Sequence, residues 1–154
     1  MKPFHFDRSW RFEVPVDELW SALQRTHDYP RWWPWLRRFD AGPLAPGTRA
    51  SFTVQPPLPY ALRFVVVLED VVDRERVQAR VSGDVRGEAV LAVAPTADGS
   101  RVHLIWDLVL ERRSLARVER IMRPLMVWGH DVIVGLGVRQ FRRRALRPLA
   151  GPER

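Results

Sequence analysis

The chain of 154 residues contains no cysteine, which excludes disulfides, thiolate metal ligands and cysteine nucleophiles. A reducing compartment is permitted by that absence but not required by it. Lysine is almost absent too: Lys2 stands alone, and the other 24 of the 25 basic residues are arginines. So complete a bias reads as coding composition rather than selection for phosphate contacts. No long apolar run is present. The longest, PLMVWGHDVIVGLGV, carries His130 and Asp131 and falls short of the roughly 20 residues that span a bilayer. The N-terminal MKPFHFDRSW lacks the apolar stretch, about 7–15 residues long, of a signal peptide. These features predict a cytoplasmic protein without stable membrane insertion. Catalytic and cofactor motifs are missing as well. His5, His27, His103 and His130 form no pair at i, i+4, which argues against a zinc site. GDVRG is neither a dinucleotide fingerprint nor a P-loop, and Ser51, Ser82 and Ser114 have no nucleophile-elbow context. No metal and no cofactor are expected.

Hydrophobic residues make up 46% and charged residues 28%, an ordinary globular mix. The length predicts a single domain over 1–154 with one substantial core. The formal charge of +7 is unevenly placed. Residues 1–111 hold 14 basic and 15 acidic side chains, whereas 112–154 hold 11 arginines against Glu119, Asp131 and Glu153. A nucleic-acid clamp around YPRWWPWLRR would need a basic groove beside its aromatics, and the balanced first part offers none. Nucleic acid is not expected as a partner. The arginine-rich end reads first as a solvated helix face, and second as a peripheral membrane or protein contact.

Residues 8–14 alternate as a short strand. PVDELWSALQR follows with Val16, Leu19, Trp20 and Leu23 at helical spacing and Pro15 and Asp17 in the first turn. Pro30 and Pro34 limit any helix in the tryptophan stretch to one or two turns. Alternating segments then follow, split by Gly- and Asp-rich turns: RRFDAG, RASFTVQ, YALRFVVVLEDV, ERVQARVS, VRGEAVLAVA and RVHLIWDLVLE. In the last, Leu104, Trp106 and Leu108 face one way while His103 and Asp107 face the other, toward solvent. From Ser114 to about Arg147, Leu115, Val118, Met122, Leu125, Met126, Gly129, Ile133 and Leu136 recur as one helical stripe. Pro124 is expected to kink or divide that helix. The compact solution is a bent antiparallel sheet with the long helix across its concave face, and a ligand fits the gap between them.

In FEVPVDELWSAL followed by YPRWWPW, in SGDVRGEAVLAV and ADGSRVHLIWDLVL, and in GHDVIVGLGVRQFRRRAL, the chain resembles the START-like (SRPBCC, Bet v 1-like) superfamily, nearest its polyketide cyclase/dehydrase branch. That resemblance implies an α+β helix-grip fold. A curved antiparallel β-sheet wraps a long C-terminal α-helix, with two short helices after the first strand and a grip helix at about 114–147. It also implies a cavity for apolar or amphipathic small molecules, lipid- or polyketide-like, in which some relatives catalyse cyclisation or dehydration while many only bind.

Alternation then suggests the lining. Trp106 and Leu108 would face the helix together with Leu62, Phe64 and Val66. Ala79, Val81 and Leu91 from the middle strands, with Phe52, Tyr60 and the helical Met122, Met126 and Ile133, would complete an almost wholly apolar wall. Of Trp32, Trp33 and Trp35, at least two are expected to plug the end of the core, with Trp33 the candidate for a wall of the opening. His130, one residue past the helical stripe and next to Asp131, is the candidate acid or base, and Tyr60 or Arg80 a donor to an enolate oxygen. The competing reading of His130 is a histidine bonded to a strand end or facing water, with binding but no chemistry.

Overall fold

The computed structural model describes residues 4–40, 42–55, 61–111 and 113–146, with residues 38, 113–127 and 129 given by their backbone alone. Strand β1 (Phe4–Phe12) leads to helix α1 (Val16–Gln24), a 3-10 turn (Thr26–Asp28) and the short α2 (Tyr29–Trp32). Six strands follow: β2 (Leu36–Asp40), β3 (Arg49–Val54), β4 (Leu62–Val72), β5 (Arg76–Gly83), β6 (Val85–Thr96) and β7 (Gly99–Leu110). Helix α3 (Arg113–Arg144) is the last described element. The seven strands form one antiparallel sheet in the order β1-β7-β6-β5-β4-β3-β2. The sheet curls around α3 as a half-barrel, the helix-grip arrangement.

One departure from the sequence reading stands out. Strand β1 begins at Phe4 rather than at residue 8, because it pairs with β7 continuously from Phe4↔Leu108 to Phe12↔Ser100. FHFD already alternates, which is what such pairing needs. Of the two outcomes expected at Pro124, division is excluded, since α3 runs as one helix from Arg113 to Arg144.

Register places side chains in rows across the concave face. One row reads Phe6, Trp106, Ala89, Ala79 and Leu68 through successive pairs. The next reads Phe4, Leu108, Gly87, Val81, Val66 and Ala50. Small residues thus occupy the middle strands, between aromatics on β1 and β7 and on β3 and β4. Gly87 is obligatory in its row: at φ 155° an added Cβ would lie 1.8 Å from the Asp107 carbonyl oxygen. A bulge between Leu68 and Asp70 on β4 adds bend to the sheet.

The opposite end of the concave face is filled. Phe12, Leu19, Trp20, Ala22, Trp32, Val77, Val93, Val102 and Phe141 form one buried cluster joining sheet, α1, α2 and the end of α3. Asp17 and Glu18 in the first turn of α1 suit its N-terminal dipole, and Leu19, Trp20 and Ala22 are its buried side.

Candidate functional site

The tryptophan stretch belongs to the filled end. Trp32 is buried at 4% exposure and packs edge-on against Phe141, with ring centroids 5.6 Å apart. Trp33 donates its indole N–H to the Gly137 carbonyl at 2.9 Å, and Trp35 donates to Gln140 Oε1 at 2.9 Å. Trp33 also stacks on Trp35 and Phe141. Gly137 permits this docking, since a Cβ there would stand 3.2 Å from the Trp35 ring. Trp33 is therefore pinned to the C-terminal part of α3. Tyr29 completes the plug, its hydroxyl donating to the Leu23 carbonyl, and burial pushes its phenol well above the usual range.

Arginines reinforce the same end. Arg142 donates to the Arg11 carbonyl and lies over the Phe12 ring, while Arg144 donates to the Trp32 and Arg31 carbonyls. These two reach back to backbone carbonyls while remaining exposed. Arg139 and Arg143 remain exposed, and Arg117 and Arg120 lie outside the described side chains.

At the other end the concave face is only partly covered. Phe52 stacks on Phe64 at 5.2 Å and meets Phe39 edge-on at 5.0 Å. Phe52, Leu62, Phe64, Trp106, Leu108 and Ile133 are all half-buried, whereas Ala79 and Val81 are buried; Leu91, also half-buried, packs instead against the filled end. Tyr60 lies outside the described residues, and Met122 and Met126 outside the described side chains. Two described surface depressions, one lined by Glu13, Pro15 and Gly99 and one by Arg25, Arg31 and Arg144, lie elsewhere.

The polar part of this region centres on His130. The inward face of α3 is marked by His130 on Phe6 and Trp106, Gly137 on the tryptophans and Phe141 on Phe12. That face is turned from the stripe through Gly129 and Leu136, so His130 looks into the sheet rather than along its edge. Among the described residues it bonds no strand end, and although 28% of its side chain is exposed, its Nε2 is buried. Its ring meets Phe6 at 4.9 Å and Trp106 at 5.1 Å, nearly perpendicular to both, while those two stack on each other at 4.7 Å. Nδ1 lies 3.4 Å from Asp131 Oδ1, and Asp131 in turn faces Arg8 at 3.7 Å. Nε2 of His130 and Nε1 of Trp106 are both buried without a hydrogen-bond partner. A third orphaned nitrogen, Trp20 Nε1, sits in the filled end. Burial holds the His130 imidazole below its ordinary pKa; Asp131 opposes that shift and Arg8 adds slightly to it.

Arg80 takes no part. It lies on the convex face at 2.9 Å from Glu69, so it is no donor inside the sheet. Two histidine–aspartate pairs, His5–Asp107 and His103–Asp7, also sit on that outer face across β1 and β7, as the alternation of β7 requires. No group of metal-binding side chains occurs among the described residues. No described helix is long and apolar enough to cross a membrane.

A curled antiparallel sheet around one long terminal helix, with a filled end and a partly covered end, defines the START-like, Bet v 1-like class of proteins. Within it, residues 3–150 match the family described as polyketide cyclase/dehydrase and lipid transport, and the chain belongs to that family. Solved structures agree in fold. TTHA0849 from Thermus thermophilus aligns with a TM-score of 0.74 at 16% identity, over 94% of this chain and 97% of that one. The di-domain ARO/CYC StfQ from the steffimycin biosynthetic pathway aligns at 0.68 and 12% identity, over 94% of this chain and 52% of that one. Ara h 8.0201 aligns at 0.59 and 10% identity, over 90% and 98%. No curated protein matches the sequence.

Proposed function

We propose that the protein binds an apolar or amphipathic small molecule, lipid- or polyketide-like, between the open half of the concave face and helix α3. The observation that carries this is the contrast in cover: Phe52, Phe64, Trp106 and Leu108 stay partly exposed on a face whose other end is sealed. Small residues, Ala89, Ala79 and Gly87, stand in the middle strands of that face. Burial of apolar ligand surface there contributes about 25 cal/mol per Å², so shape and hydrophobicity dominate affinity. The family description and the ARO/CYC relative support a ligand of this kind. The test is a fluorescence titration with 1-aminoanthracene. Wild type should bind at micromolar concentration, and Phe64→Ala should weaken binding several-fold. Equal binding by both proteins, or none by wild type, would sink the proposal.

A second reading, cyclisation or dehydration, rests on one observation: a buried imidazole nitrogen without a partner. Held neutral, His130 Nε2 can accept a proton from an activated carbon, while the Trp106 N–H can steady the oxygen that gains charge. Turnover of a small poly-β-ketone that falls about 10²–10⁴-fold in His130→Ala, with binding retained, is the result this reading requires.

A further inference from the structure

Three side-chain nitrogens among the described residues are buried without partners, and two of them belong to rings in contact. Leaving a buried polar group unpaired costs on the order of 1–3 kcal/mol, so two together on facing elements call for a reason. Their chemistry differs. An indole nitrogen only donates. The imidazole's role follows from its other nitrogen: Nδ1 has the Asp131 carboxylate beside it, which only accepts, so the proton of a neutral ring belongs on Nδ1. Nε2 is then an acceptor. Trp106 and His130 thus bring one unmet donor and one unmet acceptor to rings whose centroids stand 5.1 Å apart.

From this pairing we infer that the ligand carries a hydroxyl group, alcoholic or phenolic, which accepts from Trp106 Nε1–H and donates to His130 Nε2. The inference rests on the open-end binding site proposed above and names the polar group that its ligand presents. A carbonyl or carboxylate only accepts and would leave His130 unmet. An ammonium only donates and would leave Trp106 unmet. A hydroxyl answers both: with its O–H and lone pair roughly 110° apart, one oxygen bridges two nitrogens about 4.5–5 Å apart. Neither nitrogen is open to bulk water, so the group that reaches them is one carried in as the ligand parts the two rings.

The experiment compares 2-naphthol with 2-methylnaphthalene, which replaces the hydroxyl by a methyl of similar size, titrated into the full chain at neutral pH. Wild type should prefer 2-naphthol by about tenfold or more, even though the methyl compound is the more hydrophobic. Trp106→Phe and His130→Leu should each erase or reverse that preference. A long-range ¹H–¹⁵N spectrum of wild type should show His130 protonated at Nδ1 and bare at Nε2, a result independent of how either variant folds. If both compounds bind equally, the hydroxyl assignment is overturned while the binding site stands. If neither binds, the site and the assignment both fail. A proton on Nε2 in the free protein would overturn the assignment alone.

Discussion

At one end of the concave face, Phe12 and Trp32 close on Phe141 at 5.8 and 5.6 Å, and none of the three is more than 5% exposed. At the other end, Phe52 and Phe64 stack more closely, at 5.2 Å, yet both remain partly exposed. Aromatic contact is thus not what separates the two. The filled end has α1, α2 and the last turns of α3 laid over it, with Gly137 admitting Trp35 and Arg142 and Arg144 tying down strand and helix carbonyls. The open end has the same sheet beneath it but lacks that cover among the described residues. One end anchors the helix; the other leaves its sheet residues partly exposed.

Removing a ring from the filled end should have the largest effect. Phe141→Ala is expected to lose about 3–5 kcal/mol in urea unfolding, the cost of a cavity left by a buried aromatic. A loss below ~1 kcal/mol would mean that this end is not the anchor. The next effect comes from pH. His130 is held below its ordinary value, so it stabilises the fold fully above about pH 6.5, where the unfolded histidine is also neutral. That contribution is lost as pH falls through the lower folded value. Thermal melts should therefore show wild type losing stability on acidification through this window, and His130→Leu losing distinctly less. Parallel pH profiles would contradict the burial described for His130. The smallest effect belongs to Trp128, 51% exposed on α3. Trp128→Ser should shift stability by no more than about 0.5 kcal/mol, as surface changes do.

Much of this comparison was legible in the residues. Leu104, Trp106 and Leu108 alternating with His103 and Asp107 fixed which face of β7 turns inward, and the paired His5–Asp107 and His103–Asp7 on the outside agree. The tryptophans could be read as a plug because two prolines and a run of aromatics leave little else for a short turn to do. Register was not legible. That Ala89 and Ala79 fall in line with Trp106 depends on pairings between strands far apart in sequence, and on the bulge in β4. The inward turn of His130 was missed for a related reason. An apolar stripe through Gly129, Ile133 and Leu136 and an inward face through His130, Gly137 and Phe141 differ by about one residue, or roughly 100° of helix. The spacing of His130, Gly137 and Phe141, seven and then four, was the available signal.

The central claim, that the open end holds the ligand and the filled end does not, is tested most directly by side-chain NMR during a 2-naphthol titration. Shifts of the Phe52, Phe64 and Trp106 ring signals that saturate together, with the Trp32 and Phe141 rings unmoved, are the predicted result. Saturating shifts at Trp32 and Phe141, or on the convex face at Ile105 and Val90, would contradict it.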